Sequence, residues 1–144
     1  GNIENPINPI PLAMVAGATY VARGYSANPK HLVEMIKGAI THKGFSFLDV
    51  FSPCVTYNKD NTYKWFRPRV KPLEDEGHDP TDFHKSMDKA YLWGEEIPIG
   101  LFWHRTDLPT LEEQEPVLDE GGPLGYRELG LSKEQTSDLI KEML

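Results

Sequence analysis

The sequence predicts an α/β fold, half of a doubly wound parallel sheet followed by an irregular C-terminal arm with short helices. Three observations carry that expectation. Up to Asn58 the chain twice repeats a helix-start signal, an apolar helical segment, a glycine stop and an apolar strand, joined by short connections. Beyond Asn58, prolines recur among charges and long apolar-periodic stretches are scarce. Two strands do not make a stable sheet by themselves, so the pattern calls for further strands upstream.

Asn8-Pro9 opens the first repeat as N-cap and first-turn proline, because proline's fixed φ suits a position that needs no backbone donor. Ile10, Leu12, Ala13, Met14 and Ala16 then fall on a short, largely buried helix. Gly17 ends it, and Thr19 to Ala22 read as a buried strand. Asn28-Pro29 repeats the start signal, and Leu32, Val33, Met35, Ile36, Ala39 and Ile40 follow at the spacing of one broad helical face. His42 and Lys43 are expected in its last turn, where positive charge complements the helix dipole, with Gly44 as the stop. Phe45 to Phe51 forms the second strand, nearly continuous in apolar character, as strands buried on both faces of a parallel sheet are. Asp49 is the exception and needs a partner.

Past Asn58, Tyr63, Trp65 and Phe66 stand among charges. A helix is expected to start at Pro80, to carry Phe83, Met87, Ala90 and Tyr91, and to close at Gly94. Ile97 to Trp103 reads as one more strand or an extended apolar segment, which Pro98 keeps from any central place in a sheet. From His104 to Leu131 a mostly irregular arm is expected. The last helix begins at Ser132, whose spacing to Gln135 matches a capping box, and presents Leu139, Ile140, Met143 and Leu144.

With 144 residues, 39% hydrophobic and 10% aromatic, the chain can bury one modest core. Fifteen basic against twenty-two acidic residues give a net charge of −7, which disfavours nucleic acid and anionic membranes as partners. No apolar run approaches the roughly 20 residues of a membrane-spanning helix. A single cysteine excludes an internal disulfide framework, so a reducing, cytoplasmic location is expected. The first residues, Gly1 to Pro6, carry neither the basic start nor the apolar stretch of a signal peptide and do not begin with methionine, so the chain reads as a processed or truncated product.

Among residues able to carry chemistry, Cys54 follows Ser52-Pro53 at the carboxyl end of the second strand, where open α/β sheets place their sites. A lone cysteine is also, in general, a small buried hydrophobe, and one thiolate cannot hold an iron–sulfur cluster alone. The histidines at 31, 42, 78, 84 and 104 form no spaced ligand set. The densest group of possible ligands is His78, Asp79, Asp82 and His84, where the two acids are explained as first-turn residues of the helix at Pro80. Gly17 and Gly24 make no phosphate-binding loop, and Gly121-Gly122-Pro123 reads as a turn. Arg23 pairs either with a cofactor phosphate or with Asp49 or another carboxylate. Glu112, Glu113 and Glu115, with Asp119 and Glu120, read as a solvated acidic face.

The segments Gly1 to Ile10, Ala16-Gly17-Ala18-Thr19-Tyr20-Val21-Ala22-Arg23-Gly24 and Lys43 to Val50, the last running into Ser52-Pro53-Cys54-Val55-Thr56-Tyr57-Asn58, resemble the β subunit of 2-oxoacid:ferredoxin oxidoreductases. Ile97 to Phe102 and Pro109 to Glu113 are similar to the C-terminal tail of the same subunits, most like the 2-oxoglutarate type. The resemblance implies that residues 1–58 are the C-terminal half of a thiamine diphosphate-binding α/β domain and residues 59–144 a C-terminal extension that contacts other subunits.

It also implies thiamine diphosphate with Mg2+ and a [4Fe-4S] cluster as cofactors. The reaction implied is oxidative decarboxylation of a 2-oxoacid, 2-oxoglutarate before pyruvate, with electrons passing to ferredoxin and the acyl group leaving on coenzyme A. Cys54 would be one of four cluster ligands. The other three cysteines, and the stretches that hold magnesium and diphosphate, lie upstream of this region in the family. The implied partners are therefore the N-terminal half of the β subunit, an α subunit and ferredoxin, and the isolated chain is expected to be inactive. The alternative is a non-catalytic interaction module whose arm, from Asn58 onward, wraps another subunit.

Overall fold

A computed structural model of the chain describes residues 3–119, 121, 123–127 and 130–143. It divides into two compact units, Gly1–Pro109 and Thr110–Leu144. The first unit does not end near Asn58, because the segment from 59 to 109 supplies two strands of its sheet.

In chain order, the first unit consists of α1 (Pro9–Val15), β1 (Tyr20–Tyr25), α2 (Pro29–Thr41), β2 (Ser46–Phe51), α3 (Tyr63–Phe66), β3 (Val70–Pro72), a 3-10 turn at Leu73–Glu76, α4 (Phe83–Ala90) and β4 (Ile97–His104). The sheet order is β2-β1-β4-β3. β1 runs parallel to β2 in uninterrupted register from Tyr20↔Ser46 to Tyr25↔Phe51, and β3 parallel to β4. β1 and β4 are antiparallel, so the α/β expectation holds with a mixed rather than wholly parallel sheet.

Side chains alternate across β1, and each face takes its own helices. On one face, a Cβ added at Gly24 would meet Leu32 Cδ1 at 2.4 Å, and Tyr20 Oη donates to Met35 O at 3.2 Å, so α2 packs there. On the other, Val21 joins Ile10, Ala13 and Met14 of α1, Ala90 of α4, and Phe102 in the main core. Helices on both faces are the doubly wound arrangement.

The structure corrects several expectations. Leu12 and Ala16 of α1 are exposed, because only Ile10, Pro11, Ala13 and Met14 of this two-turn helix reach the core. Asn8 makes no cap bond with its side chain; its Nδ2 instead donates to Ala90 O at 2.7 Å. On α2, His42 is the C-cap rather than part of the last turn, and the apolar face is only partly used, since Val33, Ile36 and Ile40 are exposed. α4 begins not at Pro80 but after Asp82, whose side chain caps Lys85 N at 3.0 Å. It ends at Ala90, well before Gly94.

The largest correction concerns β4, which is central despite Pro98. Ile97 N–H donates to Arg69 O beside β3 at 2.8 Å, so by alternation the missing Pro98 N–H would face β1. Pairing with β1 begins only at Gly100↔Arg23, beyond the proline. The ladder therefore loses no bond. A bulge then shifts the register between Val21 and Ala22, sparing Phe102 from pairing and leaving it fully buried.

In the second unit, α5 (Leu111–Gln114), α6 (Pro116–Asp119), a 3-10 turn at Leu124–Tyr126 and α7 (Lys133–Glu142) follow one another. The Ser132–Gln135 capping box is present, with Gln135 N–H to Ser132 Oγ at 3.1 Å and Ser132 N–H to Gln135 Oε1 at 2.9 Å. α7 buries none of its residues, so its caps weigh heavily. Ser132→Ala is expected to cost about 1 kcal/mol of helix stability, read as lost ellipticity. Leu139, Ile140 and Met143 are exposed; Leu144, like Glu120 and Gly122, lies outside the described residues. No described helix is long and apolar enough to cross a membrane.

Candidate functional site

The carboxyl ends of β1 and β2 lie side by side, and Ser26 N–H donates to Phe51 O at 2.9 Å. β2 delivers Ser52-Pro53-Cys54 past that edge into a loop organised by Asn58. Asn58 N–H bonds Cys54 O at 2.9 Å, while Asn58 Oδ1 accepts from Asp60 N at 3.0 Å and Asn61 N at 2.9 Å. The Cys54 thiol is free and exposed, so the buried-hydrophobe reading of this residue is set aside.

Cys54 borders a groove of about 430 Å³ that Phe51, Trp65, Phe66, Trp93, Asn58 and Asn61 help to line. The aromatic wall is continuous: Phe51 meets Trp93 edge-on at 5.3 Å, and Trp65 meets Phe66 at 4.8 Å. Arg69 stacks over Trp65 at 4.4 Å. Trp93 is 59% exposed, an unusual position for so large an apolar surface within a folded unit. Trp65 was visible in the sequence as an aromatic among charges. Its convergence with Trp93 was not, because the two meet only through the central placement of β4.

Behind the groove, Arg23 is 1% exposed and its Nε donates to Asp49 Oδ2 at 2.9 Å across the parallel ladder. The carboxylate was the right choice of partner for Arg23. Burial pulls the Arg23 pKa down, opposed by the hydrogen bond and charge of Asp49. Its guanidinium also sits over Phe51 at 4.9 Å and Phe102 at 5.3 Å, and Nη2 reaches Asn8 Oδ1 at 3.4 Å. At the same end of the sheet, Tyr25 Oη and Ser26 Oγ, with both ring nitrogens of His31 at the start of α2, are buried without a hydrogen-bond partner. His31 Nε2 lies 3.4 Å from Glu74 Oε2, close enough for an ion pair but without hydrogen-bond alignment.

The remaining candidates have structural roles. His78 Nε2 and Ser86 Oγ converge on Phe102 O, the carbonyl at the β4 bulge, and Asp79 Oδ1 accepts from Thr81 N and Oγ1. Asp82 is the α4 cap and Asp79 lies in the preceding turn, so neither is a first-turn residue as the sequence had implied. Among the described residues no three His, Cys, Asp or Glu side chains gather as a metal site. Glu112, Glu113 and Glu115 are exposed, and Glu113 completes a capping box with Thr110. The side chain of Asp119 lies outside the description.

His42 Nε2 lies 2.8 Å from Thr19 Oγ1, with the His104 ring 5.2 Å away and the Tyr20 ring 5.6 Å away. Burial, then the neighbouring His104, lowers the His42 pKa from its ordinary 6.5. The unfolded chain then binds a proton more readily than the folded one, so this contribution is complete above pH 6.5 and is lost as pH falls toward the lower folded value. Denaturant melts from pH 7 to 5 are expected to show a smaller loss of stability for His42→Gln than for the parent.

Comparison with known proteins adds the family. Residues 54–120 match the model for the C-terminal part of the pyruvate ferredoxin oxidoreductase beta subunit. The 2-oxoacid:ferredoxin oxidoreductase subunit beta of Saccharolobus solfataricus is 43% identical over 123 residues, 78% of this chain and 40% of that protein. The chain belongs to the β subunits of 2-oxoacid:ferredoxin oxidoreductases. It spans about two fifths of the length of such relatives. A 2-oxoglutarate synthase subunit KorB of Methanocaldococcus jannaschii is 51% identical over 57 residues, 40% of this chain and 21% of that protein. The solved 2-oxoglutarate:ferredoxin oxidoreductase of Magnetococcus marinus, with 2-oxoglutarate, coenzyme A and succinyl-CoA bound, superposes with a TM-score of 0.77 at 37% identity. That match covers 96% of this chain and 46% of that one.

Proposed function

We propose that this chain is the C-terminal part of the β subunit of a complex that oxidatively decarboxylates a 2-oxoacid to an acyl-CoA and CO2, passing electrons through an iron–sulfur cluster to ferredoxin. The KorB relatives and the Magnetococcus structure favour 2-oxoglutarate over pyruvate as the substrate. The observation that carries the reading is the placement of Cys54: an exposed thiol at the carboxyl end of a parallel strand, facing a groove walled by aromatics.

That placement fits one ligand of a shared cluster. The thiol is open to a group brought from outside this chain, and a single thiolate requires three further ligands. A [4Fe-4S] cluster bound there would accept electrons one at a time and pass them to ferredoxin. This chain's own part is to hold the Cys54 loop through Asn58 and to keep the groove apolar through Phe51, Trp65 and Trp93, because a dry surround governs potential and solvent access. Thiamine diphosphate and Mg2+ are assigned to the rest of the β subunit, coenzyme A to the assembled complex, and residues 59–144 to contacts that include the α subunit.

The test is to purify the chain alone and assembled with the remainder of the β subunit and an α subunit, then to measure iron and 2-oxoacid-dependent reduction of ferredoxin. Iron and activity are expected only in the assembly, and full activity of the isolated chain would refute the reading. The exposed Leu139, Ile140 and Met143 of α7 favour a second reading, a non-catalytic module that only tethers other subunits. It expects assembly without any dependence of iron on Cys54.

A further inference from the structure

The chain's net charge of −7 conceals a strongly basic stretch beside the Cys54 groove. The thirteen residues from Lys59 to Lys71 hold five of the fifteen basic side chains and one of the twenty-two acidic ones, so the rest of the chain is more acidic still. These cations border the groove itself. Lys59 Nζ donates to Val55 O at 2.7 Å, one residue past Cys54. Lys64 precedes Trp65, which lines the groove, and Arg69 stacks over the same indole. Lys64 and Arg67, three residues apart on the α3 turn, share one flank of it.

Most of this charge is not neutralised. Arg69 pairs with Glu95 at 3.0 Å, but Lys64, Arg67 and Lys71 are exposed and have no carboxylate partner among the described residues. The acids that follow in sequence are turned elsewhere: Glu74 lies 3.4 Å from His31, and Glu76 pairs with Lys89. Like charges gathered without counter-charges repel one another, so the fold gains nothing from them. Exposed Trp93 stands on the same groove. A tryptophan anchor with cations around it has the anatomy of a protein contact. A nucleic acid strand would run past these few cations onto a chain that is otherwise acidic, whereas a small protein with an acidic face would not.

We infer that the collar of Lys59, Lys64, Arg67 and Lys71 beside the Trp65–Trp93 groove is the landing surface of an acidic electron-carrier protein, a ferredoxin. The inference rests on the proposed cluster at Cys54, and it assigns the carrier's contact to this chain rather than to an α subunit. Polarity and position fix the occupant. Opposite charge steers and orients a carrier that must arrive and leave quickly, through a contact of the small, weak class below about 1,200 Å². The surface opens on the thiol that would hold the donor, so docking and transfer share one groove. Each encounter oxidises the donor cluster by one electron and reduces the carrier by one.

The test uses the complex assembled from this chain, the remainder of the β subunit and an α subunit, with either an acidic ferredoxin or methyl viologen, a small cationic dye, as acceptor. At low ionic strength, Lys64→Glu with Arg67→Glu should lower kcat/KM for ferredoxin on the order of tenfold or more, through KM. Iron content and viologen reduction should stay at parent values. Added salt should depress the parent's ferredoxin kcat/KM steeply and the variant's little. Lys64→Gln with Arg67→Gln should give a smaller loss of the same kind, and it decides by the same criteria if the glutamate pair fails to assemble. Lys37→Gln with Lys85→Gln, which alters cations already paired with Glu34 and Asp82, should change nothing. Parent ferredoxin kinetics in the collar variants, or an equal loss in the Lys37 and Lys85 control, would overturn the docking surface and leave the cluster standing. A rise confined to the KM for coenzyme A would also overturn it and assign the collar to the coenzyme's phosphates. A parent complex without iron would sink the proposed cluster and the inference with it.

Discussion

Asp49→Ala is expected to destabilise the first unit by about 3–5 kcal/mol, seen as a lower denaturant midpoint at unchanged slope. The cost comes less from the lost bond than from what remains. Arg23 is 1% exposed, enclosed by Phe51, Phe102 and Trp93, and its charge would be left in an apolar site with only Asn8 nearby. A buried pair is expensive to form and more expensive to halve. Replacing both partners, as in Arg23→Met with Asp49→Leu, should therefore recover most of the loss. Arg23→Lys should recover little, because a compact ammonium lacks the planar fork that bonds Asp49 while stacking on Phe51. If Asp49→Ala cost no more than an exposed ion pair, within about 1 kcal/mol, the pair would not be a structural anchor of the β1–β2 ladder.

The parts of the fold legible in the sequence were those fixed by local chemistry. Asn28-Pro29 located the start of α2 to the residue, and Ser132 with Gln135 located the start of α7. Asp49 in an apolar strand demanded a partner, and Arg23 stood at the end of the other candidate strand. What could not be read was non-local. Pro98 argues against a central strand unless its missing donor falls outside the shared ladder, and that depends on the register with β1, far upstream in the chain. Pro80 looked like a helix start because prolines favour first turns, but Asp82 offered a better cap two residues later. In the candidate site, Cys54 was identifiable by motif. Its aromatic wall was not, since Trp65 and Trp93 come together only when β3 and β4 pair.

Cys54→Ser in the assembled complex should remove the cluster's iron and its low-temperature paramagnetic signal, and reduce 2-oxoacid-dependent ferredoxin reduction to background. The same substitution should leave the stability of the isolated chain within about 0.5 kcal/mol, because an exposed side chain contributes little to folding. The two measurements together separate the possible roles. A thiol retained for packing would cost stability without affecting iron, and a bystander in a tethering module would change neither. Serine is the sharper replacement here, since it is close in shape while exchanging a soft thiolate for a hard, weakly acidic hydroxyl that ligates iron poorly. Trp93→Ala provides the neighbouring control. It opens the groove without removing a ligand, so iron should be retained while the cluster's potential shifts and its loss in air quickens. Loss of iron in Cys54→Ser together with retention in Trp93→Ala would assign ligation to the thiol and shielding to the ring.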